Sequence, residues 1–288
     1  MRPRRALDPA FMLAPTGVIL ALFFFWPLLV AAWQSLFAWD LLTPPRWVGL
    51  ANYRGLLGSG ELVAIIFRTL IFSVLTVAGS MGLGLGLALA LNRPGRLAGF
   101  ARGSVFSAYV VSWVSVALLF LWLLDADAGA LTRAVAATGL HPPNWLGDPR
   151  VALYTLAGVT IWKIAGYAMV LFIAGLQDIP AALYEAASLD GAGRFARFRH
   201  VTWPLLRPTA AFVGTTSLIL SFQVFDVVRV MTQGGPVRST TVFVYAIYEQ
   251  IFMNLRVGRA SAEVVVFFVL LCALTLLQLW AWRKRGEA

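Results

Sequence analysis

Little in this chain suits water. Charged side chains make up 12% of its 288 residues and hydrophobic ones 60%, whereas a soluble domain carries roughly a quarter charged. The single thiol, Cys272, rules out a disulfide framework. Two histidines, His141 and His200, leave almost nothing for a metal centre or a general base. Lysine is as scarce. Only Lys163 and Lys284 occur and neither follows a glycine, so no Gly-Lys-Ser/Thr phosphate loop exists. No Ser-His-Asp order and no His/Cys cluster stands out, so neither a catalytic set nor a metal site is expected. The run Gly82, Gly84, Gly86 has Leu87 where a dinucleotide fingerprint needs its third glycine. With Gly79 it suits close helix packing instead, Gly82 and Gly86 being spaced as in GxxxG.

What is present is apolar length. A helix needs roughly 20 mostly apolar residues to cross the hydrocarbon core. Six stretches qualify: 9–39, 69–92, 103–124, 151–177, 209–228 and 264–282. Each must be helical, because lipid offers no partner to a free peptide group. The expected fold is therefore all-α, a polytopic membrane protein with six transmembrane helices. The first apolar run is about twice the roughly 7–15 residues of a signal-peptide core, and is read as a retained helix. Trp33, Trp39 and Trp47 near its outer end fit an interfacial aromatic belt.

The net charge of +10 would suggest nucleic acid in a soluble protein. Here arginine placement gives another reading. Arg2, Arg4 and Arg5, then Arg93, Arg96 and Arg102, then Arg194, Arg197, Arg199 and Arg207, then Arg283, Lys284 and Arg285 fall on one side, mostly in short segments. That side is expected to be cytoplasmic and to hold both termini. Lys163, Asp226 and Glu263 lie in or beside spans, where charge is costly and suggests function. Lys163 sits near midplane depth and needs a partner, a carbonyl cluster or water. Asp226 and Glu263 read as interfacial.

The segment 177–208 is the most informative. Pro180 suits a helix start, residues 181–189 are good helix formers, and Asp190-Gly191 makes a turn in which glycine can take positive φ. A second helical stretch is expected over 193–201, ended by Pro204. Physics alone leaves two readings open: a helical pair lying on anionic lipid, or one docked into a cytoplasmic partner.

Glu185, Ala186, Ala187, Asp190, Gly191 and Ala192, followed by Phe198, Val201 and Pro204, resemble the EAA loop of inner-membrane permeases of binding-protein-dependent ABC importers. Trp203 stands where that motif usually has leucine. The resemblance continues in 47–53 after the first span, in Asn144-Trp145-Leu146 with Asp148-Pro149, in Trp162-Lys163 and Gly166-Tyr167, in Gly175-Leu176-Gln177, and in 223–226 and 232–236. These are similar to the carbohydrate branch of the family, the maltose and glycerol-3-phosphate permeases.

The resemblance implies a type I importer permease fold, one transmembrane domain over 1–288 without a large extra outer domain, and a cytoplasmic coupling loop at 177–208. It implies a second homologous permease, two ATPase subunits that bind ATP and magnesium, and an extracytoplasmic binding protein. No cofactor is expected in this chain, and no enzymatic activity. Surrounding lipid is expected and nucleic acid is not. Aligned on the EAA and Gly-Gly-Pro motifs, the family's sugar contacts fall at Tyr167, Ser217 and Ser221, with Gln223, Lys163 and Asp226 near the same path. Ser217, Ser221 and Val224 share a helix face at i, i+4, i+7. On the residues alone the serines equally suit bonds to backbone carbonyls or small-to-small packing. The rival class is an ATP-independent secondary transporter or channel subunit.

Overall fold

The computed structural model describes the backbone of residues 9–286 and the side chains of 12–280. Arg2, Arg4 and Arg5, and the side chains of Arg283, Lys284 and Arg285, lie outside the described residues. In chain order the helices are α1 (Pro9–Leu20), α2 (Trp26–Gln34), α3 (Ala51–Gly58), α4 (Glu61–Leu91), α5 (Arg96–Val110), α6 (Trp113–Leu123), α7 (Ala130–Ala137), α8 (Ala152–Gln177), α9 (Ala181–Leu189), α10 (Arg194–Arg197), α11 (Trp203–Phe222), α12 (Asp226–Met231), α13 (Phe243–Tyr248) and α14 (Val257–Gly286). Among the described residues five helical stretches are long and apolar enough to cross a membrane, and a bent pair makes a sixth where its two helices are counted as one span.

The third span departs from the sequence expectation. Residues 103–124 do not form one helix: α5 and α6 meet at 100° across Val111 and Ser112, both in extended conformation. At about 1.5 Å per residue the 15 and 11 residues reach about 22 and 16 Å, each short of the roughly 30 Å core. The fifth span departs twice. Pro204 does not end the helix, which runs from Arg194 through a π-helical turn, Phe198–Thr202, into α11. Proline at position i removes a donor and its ring meets the carbonyl at i−4. The wider π turn, closed by the Trp203 amide on the Phe198 carbonyl, makes room. The same device recurs before Pro27, where the π turn Ala21–Phe25 precedes Trp26. At its far end α11 stops at Phe222, and Asp226 opens the separate short helix α12.

The described residues fall into two compact units. In the first, which runs up to Val63 and takes in Ala246–Leu270, the two-stranded ribbon Phe37–Ala38 with Arg46–Trp47 follows the first span. Asn52 fastens it, its amide donating to the carbonyls of Ser35 (2.7 Å) and Phe37 (2.9 Å). The Phe37 carbonyl also lies so near Gly258 that a Cβ there would stand 1.8 Å away. Trp33, Phe37 and Trp47 cluster with ring centroids 5.1–5.8 Å apart, and Trp33 and Trp47 are exposed, as an interfacial belt requires. Glu61 accepts from Arg259 at 2.7 Å.

The second unit, Ala64–Tyr245 with the chain from Leu271, is organised on α8. Ala168, Met169, Phe172, Ile173 and Leu176 of α8 form its core with Ala88 of α4 and Leu206, Ala210 and Val213 of α11. The glycine pattern works differently from the GxxxG expectation. Gly82 and Gly86 meet nothing within 4 Å, whereas Gly79 and Gly84 face α8, a Cβ on Gly84 falling 2.6 Å from Ala168 Cβ. Gly166 is tighter still, a Cβ there falling 2.5 Å from the Val105 carbonyl oxygen of α5.

Backbone cannot yield as a flexible side chain does. Gly166→Ala should therefore destabilise the chain by about 1–3 kcal/mol, and Gly82→Ala should stay within about 0.5 kcal/mol. Thermal unfolding of the purified chain in detergent checks this. Equal midpoint shifts in the two variants would contradict the close α5–α8 approach.

Candidate functional site

Segment 177–208 is a helix, a tight turn and a second helix, built as its residues demand. Pro180 is the N-cap of α9 rather than its first helical residue. At the other end Gly191 takes φ +77°. Its amide donates to the Ser188 carbonyl, and the Ala192 amide reaches back to Ala187. That pair of bonds is a Schellman motif, which needs a left-handed residue at the glycine position. The Tyr184 hydroxyl bonds Thr202 at 3.0 Å, and Arg197 donates to the Ser188 hydroxyl at 3.0 Å, so the two arms are tied at both ends. Tyr184, Val201 and Trp203 anchor the pair on the α8 core.

The outward face is what distinguishes this segment. Glu185, Ala186 and Asp190 are exposed, and Ala187, Ala192 and Pro204 are half-buried. Leu189 is 90% and Phe195 75% exposed. A cavity of about 530 Å³ opens beside the second arm, lined by Tyr184, Arg194, Phe195, Arg197 and Phe198 with Asn92 of the α4 end. Large apolar side chains held out on a well-fastened scaffold are the mark of a surface that is covered in use.

The residues expected along the substrate path lie in α8, α11 and the start of α12, and the structure separates them by environment. Tyr167 is half-buried and stacks on Tyr109 of α5, with ring centroids 4.9 Å apart and planes at 20°. Ser217 and Ser221 are buried, and the Ser221 hydroxyl donates to the Leu218 carbonyl at 2.8 Å. Gln223, just past the end of α11, is exposed, and Asp226 at the first turn of α12 is half-buried. Lys163 is 1% exposed and faces no open space. Its ammonium donates to the carbonyls of Ala108 (3.1 Å), Tyr109 (3.2 Å) and Val111, and stands 4.7 Å from the centre of the Trp113 ring. Of the alternatives open to an intramembrane lysine, the structure selects the carbonyl cluster. Glu263, beside the sixth apolar stretch, is fully buried.

Sequence reasoning missed Tyr109, Trp113 and the turn between them. No glycine or proline marks the break at Val111-Ser112. The available signal was Lys163 itself, since a lysine at that depth calls for carbonyls that an unbroken helix does not offer. Outside the spans, the Asp40 carboxyl is held below the ordinary carboxylate range, chiefly by the amide and hydroxyl of Thr43.

Comparison with known proteins completes the picture. Residues 82–284 match the family described as the binding-protein-dependent transport system inner membrane component. The chain is 35% identical over 279 residues to the sn-glycerol-3-phosphate transport system permease protein UgpA of Agrobacterium fabrum, covering 96% of this chain and 95% of that one. It is 31% identical over 266 residues to the sulfoquinovosyl glycerol transport system permease protein SmoG of the same organism, covering 92% and 86%. A bacterial ABC transporter involved in import of the acidic polysaccharide alginate contains a chain of the same fold, with a TM-score of 0.81 at 24% identity, covering 95% of this chain and 94% of that one. By the family match and these full-length relatives, the chain belongs to the inner membrane components of binding-protein-dependent transport systems.

Proposed function

We propose that this chain is the permease for a hydroxyl-rich cargo, a sugar, polyol or glycerol phosphate, and that it works beside a second homologous permease. Both UgpA and SmoG are named for cargoes containing glycerol, which supports that class. A binding protein at the outer face delivers the cargo, and two separate ATPase chains carrying ATP and magnesium drive the cycle. Family membership displaces the alternative of a transporter or channel working alone. In this reading the whole chain is one permease domain and 177–208 is its coupling loop.

The observation that carries the coupling role is the α9–α10 pair itself: fastened to the α8 core at its base, fixed at Gly191, and apolar and exposed at Leu189 and Phe195. Glu185 offers a carboxylate to a cation of the ATPase. Replacing it with alanine removes a charge-assisted hydrogen bond worth roughly 1.5–3 kcal/mol. Gly191→Val forces a β-branched residue into positive φ. In liposomes containing the full complex, both variants should lose cargo-stimulated ATP hydrolysis. Coupled transport at the wild-type rate in both would disprove the assignment.

The arginine distribution supports cytoplasmic termini and a cytoplasmic 177–208 segment. In a Cys272→Ser background, single cysteines at positions 99 and 195 should resist an impermeant thiol reagent applied from outside, and those at 55 and 140 should react. Labelling of position 195 from outside would invert the topology.

For the cargo path, Tyr167, Ser217, Ser221, Gln223 and Asp226 are the proposed lining. Sugar sites combine matched hydroxyl partners with a ring face. Ser217 and Ser221 are enclosed in this conformation, so they meet cargo in another state of the transport cycle, and alanine at Ser221 removes its hydroxyl without overpacking. Tyr167→Phe combined with Ser221→Ala should raise the uptake KM by about tenfold or more, the loss of one or two hydrogen bonds, with assembly intact. An unchanged KM would exclude this face.

A further inference from the structure

We infer that Lys163 is a positioning residue for transport, an ammonium built into α8 that holds the broken third span in its bent form. A helix that stops inside hydrocarbon leaves carbonyls with no water to bond, and such breaks persist only where another group satisfies them. Here α5 ends at Val110, and the carbonyls of Ala108, Tyr109 and Val111 lose their helical donors. An ammonium has three donors and no acceptor. Lys163 spends one on each of the three carbonyls, 52–55 residues away in the chain. The match of three donors to three acceptors leaves Nζ none to offer a cargo.

Two further features suit the charge to the place. A cation at the C-terminal end of a helix meets the negative pole of its dipole. The first residue of α6, Trp113, presents its ring to the same ammonium at 4.7 Å, within the roughly 6 Å range of cation–π attraction. One side chain thus grips both halves of the span, the last carbonyls of α5 and the first ring of α6. Gly166, one turn further along α8, admits the α5 backbone that carries those carbonyls.

The grip bears on transport through what each half holds. The α5 end carries Tyr109, stacked on Tyr167, and α6 packs along α12, which opens at Asp226. A change at the turn displaces both. This last step rests on the proposed cargo path. The grip itself does not.

The test uses the full complex in a Cys272→Ser background with Ser112→Cys as a reporter at the turn. Lys163→Met should change the thiol-labelling rate of the reporter and raise the uptake KM, each by about tenfold or more, since charged hydrogen bonds to three carbonyls are lost. Lys163→Arg should bring both to within about threefold of wild type, because a guanidinium keeps the charge and the donors. Trp113→Leu, which keeps the ammonium and removes only the ring, should move both readouts in the same direction by a smaller factor. Should Lys163→Met fail to assemble, the arginine and Trp113 variants decide the matter. An unaltered labelling rate or KM in Lys163→Met, or in Trp113→Leu if methionine does not assemble, would overturn the inference. So would failure of arginine to restore either one. A silent Tyr167 and Ser221 double variant beside an active Lys163→Met would reject the cargo path and leave the positioning role standing.

Discussion

Inside a bilayer a peptide carbonyl without a donor has no solvent to turn to, and an unsatisfied group there costs several kcal/mol. That constraint shapes this chain at several of its departures from straight helix. Before Pro27 in the first span and Pro204 in the fifth, a π turn absorbs the ring and the missing amide. Where the third span breaks, a lysine from a neighbouring helix supplies the donors. Where α9 ends, outside the apolar stretches, the chain reverses through a glycine so that two amides return to the last carbonyls. At each of these places a specific group closes the hydrogen bonding.

The helix α8 concentrates these solutions. It carries Lys163 at the break, Gly166 at the close approach to α5, Tyr167 on the Tyr109 ring and the core residues from Ala168 to Leu176. Three residues past its last turn the exposed helix pair begins. The element that organises this unit is therefore also the one from which the exposed helix pair hangs. Close-packed cores shift as units rather than deform, so rigid packing along one helix ties the exposed helix pair to the transmembrane contacts.

Much of this was legible in the residues. The span lengths, the helix–turn–helix at 177–208 and the positive φ at Gly191 follow from apolar length and turn chemistry that need no tertiary information. The EAA match carried the family because it is long and ordered. The misreadings share one cause. Pro204 as a stop, Gly82 and Gly86 as a packing pair, and 103–124 as a straight helix were each read from local pattern, and each was decided by a neighbour. The π turn before Pro204 is a backbone response that no residue type announces. Which glycines meet α8 depends on where the two helices touch. The break at Val111 depends on a lysine fifty-odd residues later. The candidate cargo contacts were legible as positions but not as environments, since nothing in the pattern distinguishes enclosed Ser221 from exposed Gln223.

That distance along the chain has a consequence for how the protein is made. Val111 and Lys163 are separated by 52 residues, so at roughly 5–20 residues per second the donor follows its acceptors out of the ribosome by about 3–10 s. During that interval the third span has no ammonium to support its bend. It must wait unbroken, or stay in the translocation machinery or the interface, until the fourth span arrives. The two spans therefore mature as a pair, the bend being completed only once α8 is in place.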